Sequence, residues 1–130
     1  MVDFIHMTIG DWLDKKAAEL PDKDCAVHPY EGLRYTTVQF KAECDRVARG
    51  LMAMGVRKGD HVAIWATNRP QWVQTQFATA KIGAVLVTVN TNYKKYELEY
   101  LMKQSDSMTL IMIEGYRDSD YLGHIYDLCP

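Results

Sequence analysis

From residue 8 onward the apolar positions recur at two alternating periods. Residues 8–20 open with Thr8 three positions ahead of Asp11, a variant of the helix-capping pattern. This register puts Ile9, Trp12, Leu13, Ala17 and Leu20 near one helical face, and Pro21 and Asp22 stop the helix. Residues 25–28 and 33–36 flank the turn-rich Pro29, Tyr30, Glu31 and Gly32, which predicts a small hairpin. Thr36 with Gln39 forms a capping box for a second helix, whose Phe40, Cys44, Val47, Ala48 and Leu51 recur at three- and four-residue steps until Gly55 ends it. After Lys58, Gly59 and Asp60, the apolar run 61–66 is short and bounded by breakers, as a buried parallel strand should be.

The alternation continues to the end of the chain. Asn68 and Pro70 begin a helix that runs to about Ile82 and is ended by Gly83. A strand over 85–89, a helix over 96–104, a strand over 109–113 and a last helix near 118–128 follow. Strands separated by helices imply right-handed crossovers. The expected fold class is therefore α/β, an open, mainly parallel sheet with flanking helices and a small N-terminal hairpin. No repeat, low-complexity tract or linker interrupts the pattern, so residues 1–130 are expected to form a single α/β unit. Trp12, Phe40, Trp65, Trp72 and Phe77 fall on apolar faces, where core packing accounts for them better than a ligand cage.

Composition narrows the function classes. With 48% hydrophobic and 25% charged residues the chain has the profile of a folded globular protein. A net charge of −2 with both signs interspersed gives no field for a nucleic-acid backbone, so nucleic acid is excluded as a partner. Cys25, Cys44 and Cys129 are odd in number and widely spaced, which points to reduced thiols in a cytoplasm. Residues 1–10, with Asp3, lack the basic cluster and long apolar run of a secretory signal, and no run elsewhere is long enough to span a bilayer.

A parallel sheet binds ligands at the carboxyl ends of its strands, so the loops there are the first candidates. Thr67, Asn68, Arg69 and Pro70 offer a hydroxyl, an amide and a guanidinium, but no glycine to admit a phosphate to the backbone; they serve as a helix cap with a solvated arginine or as a weak phosphate site. Asn90, Thr91, Asn92, Tyr93, Lys94 and Lys95 form the most polar segment, able either to orient an anion or a partner loop or simply to form a turn and helix cap. Cys25 and His28 share a strand without a second ligand pair, as an ordinary packed pair would. No nucleophile elbow, Walker loop or dinucleotide fingerprint occurs, and no residue is nominated as catalytic, cofactor-binding or metal-ligating.

Four stretches in order carry a resemblance: LRYTTVQF (33–40), GVRKGDHVAI (55–64), NRPQWV (68–73) and AKIGAVLVTVN (80–90), the last continuing to Tyr93, Glu97 and Leu98. Together they resemble the opening of the adenylate-forming, AMP-binding superfamily, specifically its AMP-forming acyl-CoA synthetases. The 89–93 segment is similar to the version in fatty-acyl enzymes rather than to that of peptide-synthetase adenylation domains, where an aspartate is usual near Asn90. The resemblance implies an acid-thiol ligase using ATP, Mg2+ and CoA on a fatty or other carboxylic acid. It also implies that the phosphate loop and every catalytic residue lie downstream of Pro130, so that the chain alone is inactive and leaves an exposed sheet edge prone to self-association. The ending within a helix and its exit loop fits a truncation. The alternative is a small non-catalytic α/β nucleotide- or protein-binding module; a flavodoxin-like domain fits less well, for lack of a phosphate loop after the first strand.

Overall fold

The computed structural model describes residues 4–130; Met1, Val2 and Asp3, on which part of the signal-sequence reading rests, lie outside the described residues. Helix α1 (Ile9–Glu19) starts where Thr8 Oγ1 accepts the Asp11 N–H at 3.1 Å. The hairpin β1 (Asp24–His28) and β2 (Leu33–Thr36) closes through a single 3-10 turn and the left-handed Gly32, φ 65°. At the head of α2 (Thr37–Ala53) the capping box is reciprocal: Thr36 N donates to Gln39 Oε1 at 2.9 Å, and Gln39 N returns to Thr36 Oγ1 at 3.4 Å.

β3 (His61–Trp65), α3 (Pro70–Ile82), β4 (Val85–Thr88), α4 (Lys95–Gln104) and β5 (Ser107–Met112) form the α/β body. β3 lies in the centre of a three-stranded sheet ordered β4-β3-β5, parallel to both neighbours, with His61 opposite Val85 and Ser107. Its side chains alternate between two covered faces. Val62 packs with Ala48, Leu51, Val56 and Ala78 from the α2–α3 side, while Ala63 and Trp65 pack with Leu98 and Tyr121 on the other. Gly83 ends α3 in the left-handed region, φ 73°, where a Cβ would also stand 2.9 Å from Lys58 Cγ.

Several expectations need correction. Trp12 is not a core residue: it is 41% exposed with Lys16 Nζ over its ring at 5.8 Å, and Ile9 and Leu20 also face outward, because only the Gly10–Leu13–Ala17 stripe of α1 meets α2 and α3. Asn68 caps nothing. Arg69 occupies the cap position without a side-chain bond, and Pro70, whose missing N–H needs no cap, starts α3. The final segment is not one helix from residue 118: a hairpin of β6 (Gly115–Tyr116) and β7 (Ser119–Asp120) precedes α5 (Tyr121–Leu128), which Asp120 caps through Gly123 N at 2.9 Å. The remaining aromatics follow expectation, with Phe40 and Phe77 edge to face at 5.5 Å and Trp72 half-buried. Among the described residues no helix is long and apolar enough to cross a membrane.

Candidate functional site

The carboxyl ends of β3, β4 and β5 gather the candidate loops, and the crevice between them is filled by aromatic side chains. Trp65, the last residue of β3, is fully buried and stacks on Tyr121 at the start of α5, with ring centroids 3.5 Å apart and planes 6° from parallel. Both polar handles hold the loop after β4: Trp65 Nε1 donates to the Asn90 carbonyl at 3.1 Å and Tyr121 Oη to the Thr91 carbonyl at 2.5 Å. Burial pushes the Tyr121 phenol above its ordinary value, so it remains a donor. The sequence reading placed Trp65 in the core but overlooked Tyr121, whose only sequence signal is its position directly after a capping Asp120.

The Asn90–Lys95 loop resolves into a turn and a helix start. Asn90 Oδ1 accepts the Asn92 N–H at 2.9 Å, and Tyr93 N closes on Asn90 O at 3.0 Å. Lys94 N donates to Glu97 Oε2 at 3.1 Å. The two lysines that could have met an anion are paired within the chain: Lys94 Nζ with Asp118 at 3.4 Å and Lys95 Nζ with Asp127 at 3.2 Å. The Asp127 carboxylate raises the Lys95 ammonium above its ordinary range. Arg69, beside the crevice, is exposed.

The loops after β3 and β4, residues 66–69 and 89–94, contain no glycine, so no backbone cradle of the kind that phosphates need forms there. Among the described residues no group of three His, Cys, Asp or Glu side chains converges to hold a metal, and Cys25 and His28 stay an isolated pair on β1. The chain presents an open apolar groove of about 560 Å3 between β4 and α4, lined by Val87, Tyr93, Tyr96, Tyr100 and Leu101, beside the edge of β4 that pairs with no strand among the described residues.

Residues 13–126 match the AMP-binding enzyme family. Over its 130 residues the chain is 53% identical to the Bacillus subtilis protein YngI, named as an acyl-CoA synthetase, and covers 24% of it. It is 35% identical to the human mitochondrial medium-chain acyl-CoA ligase ACSF2, with 95% of this chain and 20% of that protein aligned. Among solved structures, the N-terminal domain of FACL13 from Mycobacterium tuberculosis superposes with a TM-score of 0.79 at 32% identity, covering 81% of this chain and 26% of that one. The NpsA N-terminal subdomain of Klebsiella oxytoca superposes at 0.76 and 25% identity, over 82% of this chain and 27% of that one. The chain thus spans between a fifth and a quarter of these two curated relatives. It belongs to the AMP-binding enzyme family.

Proposed function

We propose that residues 1–130 are one α/β unit, the N-terminal portion of the AMP-binding domain of a cytoplasmic AMP-forming acid-thiol ligase. In the whole enzyme a carboxylate, with a fatty acid the preferred class, attacks the α-phosphate of Mg-ATP to give an acyl-adenylate and pyrophosphate. The CoA thiol then displaces AMP. The observation that carries this reading is the end-to-end 53% identity to a protein named as an acyl-CoA synthetase. The filled crevice, the paired Lys94 and Lys95 and the glycine-free loops support placing the chemistry outside these residues. A thioester-forming assay with ATP, Mg2+, CoA and a panel of fatty acids, run on this chain and on the uninterrupted reading frame, is expected to give activity only in the longer form. Activity in neither, or the absence of a longer frame, would favour a non-catalytic binding module.

The free edge of β4, Val85-Leu-Val-Thr88, carries no charge or proline to deter pairing and flanks the tyrosine groove. In the whole enzyme the continuing polypeptide covers both; in the isolated chain a second copy does. Light scattering across a concentration series should therefore show association of the isolated chain. The double variant Tyr96→Lys, Tyr100→Lys, at positions 74% and 68% exposed, should return it to monomer without loss of helix content. Unchanged association in that variant would remove the groove from this role.

A further inference from the structure

Helix α1 is held by few groups. Its buried residues are Gly10, Leu13 and Ala17, and Leu13 lies in one cluster with Phe40 and Cys44. Gly10 rests directly on α3: a Cβ there would stand 3.0 Å from Lys81 Cγ and 3.1 Å from Lys81 Cα. Beside this contact Lys81, its side chain 12% exposed, pairs with Asp14 of α1 and, at 2.8 Å, with Asp45 of α2. Lys41 of α2 completes the cluster, 2.5 Å from Asp45 and 3.6 Å from Asp14. Asp11 and Arg49 border it from α1 and α2.

Asp45 and Lys81 hold their charges at neutral pH. Burial works against the Asp45 carboxylate, but the Lys41 and Lys81 ammoniums outweigh it and hold the carboxyl below its ordinary range. Burial likewise works against charged Lys81, and the bonds to Asp14 and Asp45 override it. Cys44, packed against Leu13 of α1 in a cluster that Ala26, Tyr35, Val73 and Phe77 also flank, is fully buried, and burial pushes its thiol up to about 12.

We propose that α1 is a hinged lid over Cys44 and that Lys81 is its clasp, so that α1 detaches and unwinds as one local unit while the α/β body stays folded. Three features support a separate motion. An eleven-residue helix is too short to persist without its seat. The segment just after it is pinned to α2, where Thr37 N donates to Lys23 O at 2.9 Å and Val38 N to Pro21 O at 3.2 Å, which places the hinge at the end of α1. Finally, Lys81 keeps Asp45 when Asp14 leaves, so opening strands no buried charge.

The test uses the Cys25→Ser, Cys129→Ser background, in which Cys44 is the only remaining thiol. Its labelling by an aromatic disulfide reagent is followed under native conditions over a urea series. Asp14→Asn should accelerate labelling about fivefold and Lys81→Met about tenfold or more. In both, the urea dependence should be shallower than that of global unfolding followed by circular dichroism. Unchanged rates in both variants, or labelling that tracks global unfolding with its full urea slope, would overturn the lid. If Lys81→Met folds poorly, Asp14→Asn, which leaves the Lys81–Asp45 pair intact, decides alone.

Discussion

Replacing Trp65 by alanine is expected to remove about 3–5 kcal/mol of stability, the range for a large aromatic deleted from a core. Three contributions are lost together. The side chain is fully buried, its face lies against Tyr121 at 3.5 Å, and its Nε1 holds the Asn90 carbonyl at 3.1 Å. Domain stabilities of about 5–15 kcal/mol leave little after such a loss. Tyr121→Phe is the informative comparison, because it keeps the stacked ring and removes only the hydroxyl bond to Thr91 O, at an expected cost of about 1 kcal/mol. Urea unfolding monitored by circular dichroism separates the two through their midpoints. A Trp65→Ala midpoint no lower than that of Tyr121→Phe would show that the stack does not anchor the crevice.

What was legible in the sequence was whatever a local rule governs. Thr8, Thr36 with Gln39, and Gly83 mark helix ends through bonds to residues three or four positions away, and each mark fell within a residue of the observed boundary. The run 61–66 could be read as a buried strand because it has no polar alternation to expose, and the observed strand covers 61–65. The β6–β7 hairpin went unread because its turn puts Arg117 at φ 54°, a conformation that glycine or asparagine would have signalled. Long-range pairings were equally invisible. Lys81 and Asp14 lie 67 positions apart, and Trp65 meets Tyr121 only once α5 folds back over the sheet. Trp12 shows the opposite failure: helical period places it on an apolar face, but only the neighbouring helices decide how wide the covered stripe is, and here it stops at Leu13. The loops after β3 and β4 lie where the pattern puts them, whereas the pairing of Lys94 and Lys95 with Asp118 and Asp127 depends on the unread β6–β7 hairpin and on how the expected last helix packs beside α4.

Leu98→Ala should detach α4 before anything else. Leu98 is the one buried residue of that helix, fully enclosed and packed in the cluster of Ala63, Trp65, Val89 and Tyr121, so truncation is expected to cost about 2–5 kcal/mol. Leu101 and Met102 of α4 are only partly buried where they pack on the same cluster as Ile125, and the polar ties to the 118–127 segment, Lys94–Asp118 and Lys95–Asp127, lie at the surface, where ion pairs contribute little. Hydrogen exchange should therefore show the amides of α4 losing protection ahead of those of β3, whose ladder to β4 and β5 does not involve Leu98. Leu98→Met, close to volume-conserving, should cost less than about 1.5 kcal/mol and keep α4 protected. Because Tyr96, Tyr100 and Leu101 of α4 form one wall of the groove beside β4, loosening the helix also dismantles the surface assigned to the continuing polypeptide. In the uninterrupted reading frame Leu98→Ala should accordingly impair assembly more than it impairs the sheet itself. If α4 and β3 lose protection together in the isolated chain, Leu98 belongs to one indivisible core, and the groove has no wall that can yield separately.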